Sequence, residues 1–193
     1  MKNIFTAFIF TWFVSTTAFT QNKPIRPQAL GVSFIMNDFT TAARIRTGSL
    51  SKVFGEKQWA KFKEMSPGLA LTYFKGMTPY VDFAGTFAFS SVNYTPSDKP
   101  GGDALLLEGD ASANIKMFDE SYWVTPYVSA GVGASKFKNY YAAFLPLGIG
   151  VNVNLFNEGG IFIGTQYRIP VTEAASYHFM YSVGIRGVLG KKD

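Results

Sequence analysis

Four stretches of this chain alternate apolar and polar side chains with a period of two, and three of them do so for longer than a soluble strand needs. From 105 to 117, Leu105, Leu107, Gly109, Ala111, Ala113, Ile115 and Met117 fall on one side of the repeat, and Glu108, Asp110, Ser112, Asn114 and Lys116 on the other. From 141 to 155, Tyr141, Ala143, Leu145, Leu147, Ile149, Val151, Val153 and Leu155 oppose a set that includes Phe144, Pro146, Gly148, Gly150, Asn152 and Asn154. From 177 to 189, Tyr177, Phe179, Tyr181, Val183, Ile185, Gly187 and Leu189 oppose His178, Met180, Ser182, Gly184 and Arg186. The shortest, 81–89, sets Val81, Phe83, Gly85, Phe87 and Phe89 against Asp82, Ala84, Thr86 and Ala88. Successive side chains of a strand point to opposite faces, so each repeat reads as a strand with one apolar face. A strand crosses a bilayer in roughly 9–11 residues, whereas strands of soluble domains average about 5–6.

Weaker segments at about 29–38, 67–76, 123–136 and 161–169 bring the expected strands to eight, and helix is expected only between Thr40 and Met65. With 47% hydrophobic and 16% charged residues the chain is neither disordered nor a coiled coil. The absence of cysteine excludes a disulfide framework, thiol catalysis and Cys-ligated zinc. Residues 1–20 read as a signal peptide: Lys2, the apolar run Ile4 to Val14, then Ala18-Phe19-Thr20 as a small-x-small cleavage site, with Thr16-Thr17-Ala18 as the alternative. Residues 21–193 then form one barrel domain.

Alternation alone also suits a soluble sandwich or a lipocalin-like cup with its apolar face inward. Two features favour the membrane. Connections alternate between short (75–78, 118–121, 157–160) and long (39–66), and aromatics gather at strand ends, with Tyr80, Phe118, Trp123 and Phe156 at one end and Tyr94, Tyr140, Tyr141, Tyr167 and Tyr177 at the other. Lipid cannot satisfy an open sheet edge, so eight strands in a membrane must close. The fold expected is an all-β, eight-stranded antiparallel up-and-down transmembrane barrel with a long, partly helical first external loop. Pro126 and Pro146 each remove a ladder hydrogen bond, so bulges or shortened pairing are expected there.

The chain resembles the OmpA-type eight-stranded outer-membrane barrels. The resemblance is carried by the opening strand at 30–34, by 67–73 running through to Asp82–Thr86, by 123–133, and by the closing 181–186. It implies a bacterial outer-membrane location with both mature termini in the periplasm. Many relatives carry a C-terminal peptidoglycan-binding domain; this sequence ends at Gly190-Lys191-Lys192-Asp193, so no such tether is expected, and the terminal aromatic usual in assembly signals is missing.

An eight-stranded barrel is just wide enough for its own side chains to fill. Parity places Asp82, Glu108, Asp110, Lys116, Arg168 and Arg186 inward, three acids and three bases, which reads as a lumen plugged by ion pairs and by the amides of Asn114, Asn152, Asn154 and Gln166. Glu108 and Arg168, with His178 nearby, are expected toward the outer end, and Asp82, Lys116 and Arg186 toward the periplasmic end. The same pairs in a narrow ion path are the alternative.

Catalysis has little to stand on. His178 is the sole histidine, and Ser182 lies four residues on, about 13 Å along a strand. No cofactor, metal or catalytic residue is expected. Gly131-x-Gly133 and Gly148-x-Gly150 lie inside strands, where glycine allows bending and close packing rather than phosphate binding. The Asn93-Tyr94-Thr95 sequon is too common a pattern to carry weight.

The first loop holds six cations against Glu56 and Glu64, a net of +4, interleaved with Leu50, Val53, Phe54, Trp59, Phe62 and Met65. An amphipathic basic helix there would suit an anionic surface, with Lys57, Lys61 and Lys63 as contacts to lipopolysaccharide phosphates or to a partner protein; a solvated loop folded over the barrel mouth is the alternative. Nucleic acid is not an expected partner. The leading reading is a non-enzymatic structural or interaction barrel, the others a minimal channel and a lipid A-modifying enzyme.

Overall fold

The computed structural model describes residues 24–92, 104–155, 159–172 and 176–190. The expected leader, the sequon and Phe156 lie outside them. Eight strands close on themselves: β1 (Ala29–Asp38), β2 (Ser66–Gly76), β3 (Val81–Val92), β4 (Ala104–Lys116), β5 (Val124–Phe137), β6 (Tyr140–Leu155), β7 (Gly159–Pro170) and β8 (His178–Val188). Each pairs antiparallel with its sequence neighbours, and β1 pairs with β8 from Ala29↔Val188 to Asp38↔Phe179. The strands run from 10 to 16 residues. No helix among the described residues is long and apolar enough to cross a membrane.

The apolar side of every alternating strand faces outward. Val32, Ile149 and Ile185 are 52%, 61% and 68% exposed, whereas Glu108 and Arg186 are 3% and 8% exposed. A soluble sandwich or cup requires the reverse arrangement, so this geometry excludes both. Small apolar clusters inside, such as Ala29, Phe74, Ala84 and Phe162, fill space between the polar layers. Glycines on the inner face make room for large side chains: a Cβ on Gly133 would lie 2.4 Å from the Phe144 ring, and one on Gly150 would lie 2.4 Å from Tyr127 Oη.

The connections 77–80 and 117–123 lie at one end, here the turn end, together with the short link from Leu155 to Gly159. At the opposite, loop end the alternation of short and long connections breaks down. β5 and β6 run on as the longest hairpin and are joined only through Lys138 and Asn139, with Lys138 at φ 53°. Pro146 interrupts the β5–β6 ladder, but without a bulge. Pairing stops at Ala130↔Leu147 and resumes at Gly133↔Phe144 in the same register. Pro126 remains paired with Val151, and its carbonyl accepts from Met117 N at 2.9 Å.

The first loop folds into α1 (Phe39–Thr47), α2 (Leu50–Gly55) and a 3-10 turn at Phe62–Glu64. Asp38 caps α1 by accepting from Thr41 N at 2.8 Å, Thr41 Oγ1 accepts from Ala60 N at 2.9 Å, and Arg44 Nη1 donates to Gln58 O at 3.0 Å. The Phe39 ring rests 4.5 Å from the His178 ring, and Arg46 stacks 3.9 Å over Tyr177, seating the loop against β8 at the loop end. The loop is partly helical, as expected, but its cations do not share one continuous amphipathic helix. Gly48 ends α1, and Lys57 takes φ 52° just beyond α2. Lys57 therefore lies in a turn, Lys61 precedes the 3-10 turn and Lys63 is inside it, all exposed on non-helical or barely helical backbone. Of the apolar residues interleaved with these cations, Val53 is buried while Leu50 and Phe62 are exposed.

Candidate functional site

Strand parity points charged side chains into the lumen, and register decides which of them meet. Glu108 and Asp110 project from β4, and Arg168 reaches them from β7 across the barrel. Its Nη1 lies 2.6 Å from Glu108 Oε2 and its Nη2 lies 3.0 Å from Asp110 Oδ2, with all three side chains at most 2% exposed. The guanidinium also stands 4.8 Å from the centre of the Phe144 ring. Ser112 Oγ donates to Asp110 at 3.3 Å. His178, at the loop end of β8, places Nε2 3.4 Å from Glu108 Oε1 and Nδ1 3.0 Å from the Ser176 carbonyl, so both ring nitrogens face oxygen acceptors. Ser182 donates instead to Gly164 O at 3.4 Å.

The turn end holds a second cluster, arranged as a ring. Arg26 bonds Asp82 at 2.7 Å and Glu120 at 2.9 Å; Lys116 bonds the same two carboxylates at 2.9 and 2.7 Å. Each cation thus bridges both anions, and each anion both cations. Asp82 comes from β3 and Lys116 from β4, while Glu120 lies in the connection that follows β4 and Arg26 in the segment before β1. Burial alone would push the Glu120 carboxyl up; Arg26 and Lys116 override it and hold it below the usual glutamate range. Arg186 stands outside the ring and donates to the amide oxygens of Asn152, at 2.7 Å, and Asn154. Phe74 neighbours both cations, its ring centre 5.9 Å from Arg26 and 5.9 Å from Arg186.

Of the six inward charges read from parity, the structure joins Glu108, Asp110 and Arg168 at one end and Asp82 and Lys116 at the other, and gives Arg186 amide partners in place of an acid. Parity could not find Arg26 or Glu120, because neither belongs to a strand. With them included, the carboxylates Asp82, Glu108, Asp110 and Glu120 face the cations Arg26, Lys116, Arg168 and Arg186, with His178 besides. Between the clusters lies a cavity of about 30 Å³ lined by Ser33, Thr72, Thr86, Ser112, Asn114 and Gln166 among others. This volume holds about one water. Among the described residues no group of histidines, cysteines and carboxylates suited to a metal ion is present.

No family model and no curated protein matches this sequence. Solved structures do. The outer membrane protein OprG from Pseudomonas aeruginosa superposes with a TM-score of 0.57 at 10% identity, over 86% of this chain and 99% of that one. Ail, the attachment invasion locus protein of Yersinia pestis, gives 0.51 at 13% identity over 84% and 99%. Neisserial surface protein A gives 0.50 at 14% identity over 84% and 96%. At these identities the likeness is one of fold: this chain has the architecture of the eight-stranded outer-membrane barrels.

Proposed function

We propose that this chain is an exported, non-enzymatic barrel of the bacterial outer membrane, with its termini and turn end in the periplasm and its loop end outside, serving envelope integrity or adhesion through its surface. The observation that carries the reading is the orientation of the wall: apolar side chains face outward where acyl chains would lie, and the ionised ones neutralise one another inside. Fractionation with heat-modifiable gel mobility tests it. The expected result is an outer-membrane protein that needs detergent for extraction and migrates differently before and after boiling; recovery from the soluble fraction without detergent would refute it. N-terminal sequencing of the mature chain reports whether the leader ends after Thr20 or after Ala18.

The lumen, in this reading, is a closed plug, since each end is spanned by bonded charges. Planar-bilayer recordings should show no stable unitary currents, and lipid A analysed by mass spectrometry should be the same with and without the protein. Lys57, Lys61 and Lys63 are proposed to meet lipopolysaccharide phosphates as separate exposed cations rather than as one helix face. Reversing all three charges should weaken binding to lipopolysaccharide vesicles, and unchanged binding removes that assignment.

A further inference from the structure

One side chain of the turn-end ring, that of Arg26, comes from the segment ahead of the barrel strands. Residues 24–28 run from Pro24 to Gln28 ahead of β1 and lie between the ends of β2 and β8, the two strands that flank β1. They are tied at two points: Gly76 N, at the end of β2, donates to Arg26 O at 3.1 Å, and Leu189 N, just past β8, donates to Gln28 O at 2.7 Å. At the first of these ties the Arg26 side chain turns into the lumen, 2% exposed, while Ile25 beside it is 51% exposed. The sequence suits a stiff strap. Pro24 and Pro27 bracket the arginine, and a residue preceding proline is biased to extended backbone, so little conformational freedom is left to lose on seating.

The wall has been shaped to the strap as well. A Cβ on Gly76 would lie 2.6 Å from Ile25 Cγ2 and 2.7 Å from both Arg26 N and Arg26 O. Two of those three atoms are backbone, so no rotamer change relieves the contact, and glycine alone lets the strap lie this close. Asp82, Lys116 and Glu120 can meet without Arg26, but they then carry two negative charges against one positive. The guanidinium supplies the missing charge and fills the centre of the mouth.

We propose that residues 24–28 form a strap that closes the turn-end mouth, with Arg26 as a removable bolt, so that access to the lumen from that end is governed by a segment able to lift while the barrel stays closed. The proposal rests on the closed-lumen reading and goes beyond it by assigning the closure at one end to a detachable element. The guanidinium and the backbone that carries it are held at the same place, and withdrawing them leaves Asp82 and Glu120 with Lys116 as their shared cation. Strand-borne charges such as Arg168 have no comparable route out.

The chain lacks cysteine, so one introduced thiol reports access cleanly. Ser112→Cys changes little in volume and stands in the cavity between the two charge clusters. The full barrel is placed in nanodiscs, which leave both mouths open to solvent, and labelled with a small charged methanethiosulfonate. Heat-modifiable mobility certifies that each variant is folded. With the strap seated, the introduced thiol should be protected. Arg26→Gln removes the bolt, and Gly76→Val displaces the strap without touching a charge. Since the rate follows the fraction of open mouths, each should speed labelling by at least about tenfold. Protection retained in either variant overturns the strap while leaving the plug intact. Rapid labelling of the chain that carries Ser112→Cys alone overturns the closed lumen itself.

Discussion

Arg168 offers the sharpest test of how the lumen is held together. Its guanidinium is the common partner of Glu108 and Asp110, two carboxylates on one face of β4 that are shielded from water. Arg168→Met keeps much of the side-chain volume and its packing on Phe144, and removes the charge. Breaking a buried pair by removing one partner costs about 3–5 kcal/mol, because the remaining charge is uncompensated. Here two carboxylates are stranded, with the His178 ring beside Glu108 and the Ser112 hydroxyl beside Asp110 in place of a full counter-charge, so the upper part of that range is expected. With a urea slope of about 2 kcal/mol/M, a loss of about 4 kcal/mol lowers the unfolding midpoint by about 2 M. The assay is equilibrium urea unfolding of the barrel in lipid vesicles, followed by tryptophan fluorescence from Trp59 and Trp123. The control is the triple variant Arg168→Met, Glu108→Gln, Asp110→Asn, which removes the stranded charge together with its partner and should recover all but about 1–2 kcal/mol. If the single variant loses less than about 1 kcal/mol, or if the triple is no better than the single, the guanidinium is not neutralising these carboxylates and the charge argument fails.

Three further outcomes follow from the same geometry. Arg186→Met removes hydrogen bonds to two amides rather than to a carboxylate, so it should cost about 1–3 kcal/mol, visibly less than Arg168→Met; an equal cost in the same urea assay would mean that Arg186 compensates an acid after all. Val183, 54% exposed and paired with Phe34 and Ile163, lies midway along the lipid-facing wall, where a lysine costs about 2–4 kcal/mol; Val183→Lys tested in vesicles should show it, while a change within about 0.5 kcal/mol would place that face in water. Glu120 has its folded-state carboxyl held below its ordinary value, so the stability it adds is complete above the unfolded value near pH 4.3 and disappears as the pH drops through the lower folded value. The stability difference between the native chain and Glu120→Gln should therefore be the same at about pH 7 and pH 5.5 and shrink only below about pH 4.3. Shrinkage already complete by about pH 5.5 contradicts the depressed carboxyl.

The period-two repeat carried most of the fold. It is a local property, since each residue's face follows from its neighbours along the strand, and the burial of Glu108, Asp110, Ser112, Asn114 and Lys116 beside exposed Leu105, Ala111 and Ile115 is that repeat made solid. The length of the repeats and the even number of strands then left closure as the physical solution in lipid. The sequence alone thus determined the wall, the sign of each face and the set of charges carried on strands. Which charges meet belongs to the tertiary structure, because bonding across the lumen depends on register and barrel stagger, and no local pattern carries these. That is why Arg168 bonds two acids and Arg186 bonds two amides. The first loop was legible in composition but not in shape, its helices cut short at Gly48 and by the turn at Lys57. Arg26 was invisible for the same reason. Nothing periodic marks Pro24 to Gln28, and an arginine on a short non-repeating segment acquires its burial only when eight strands have closed beneath it.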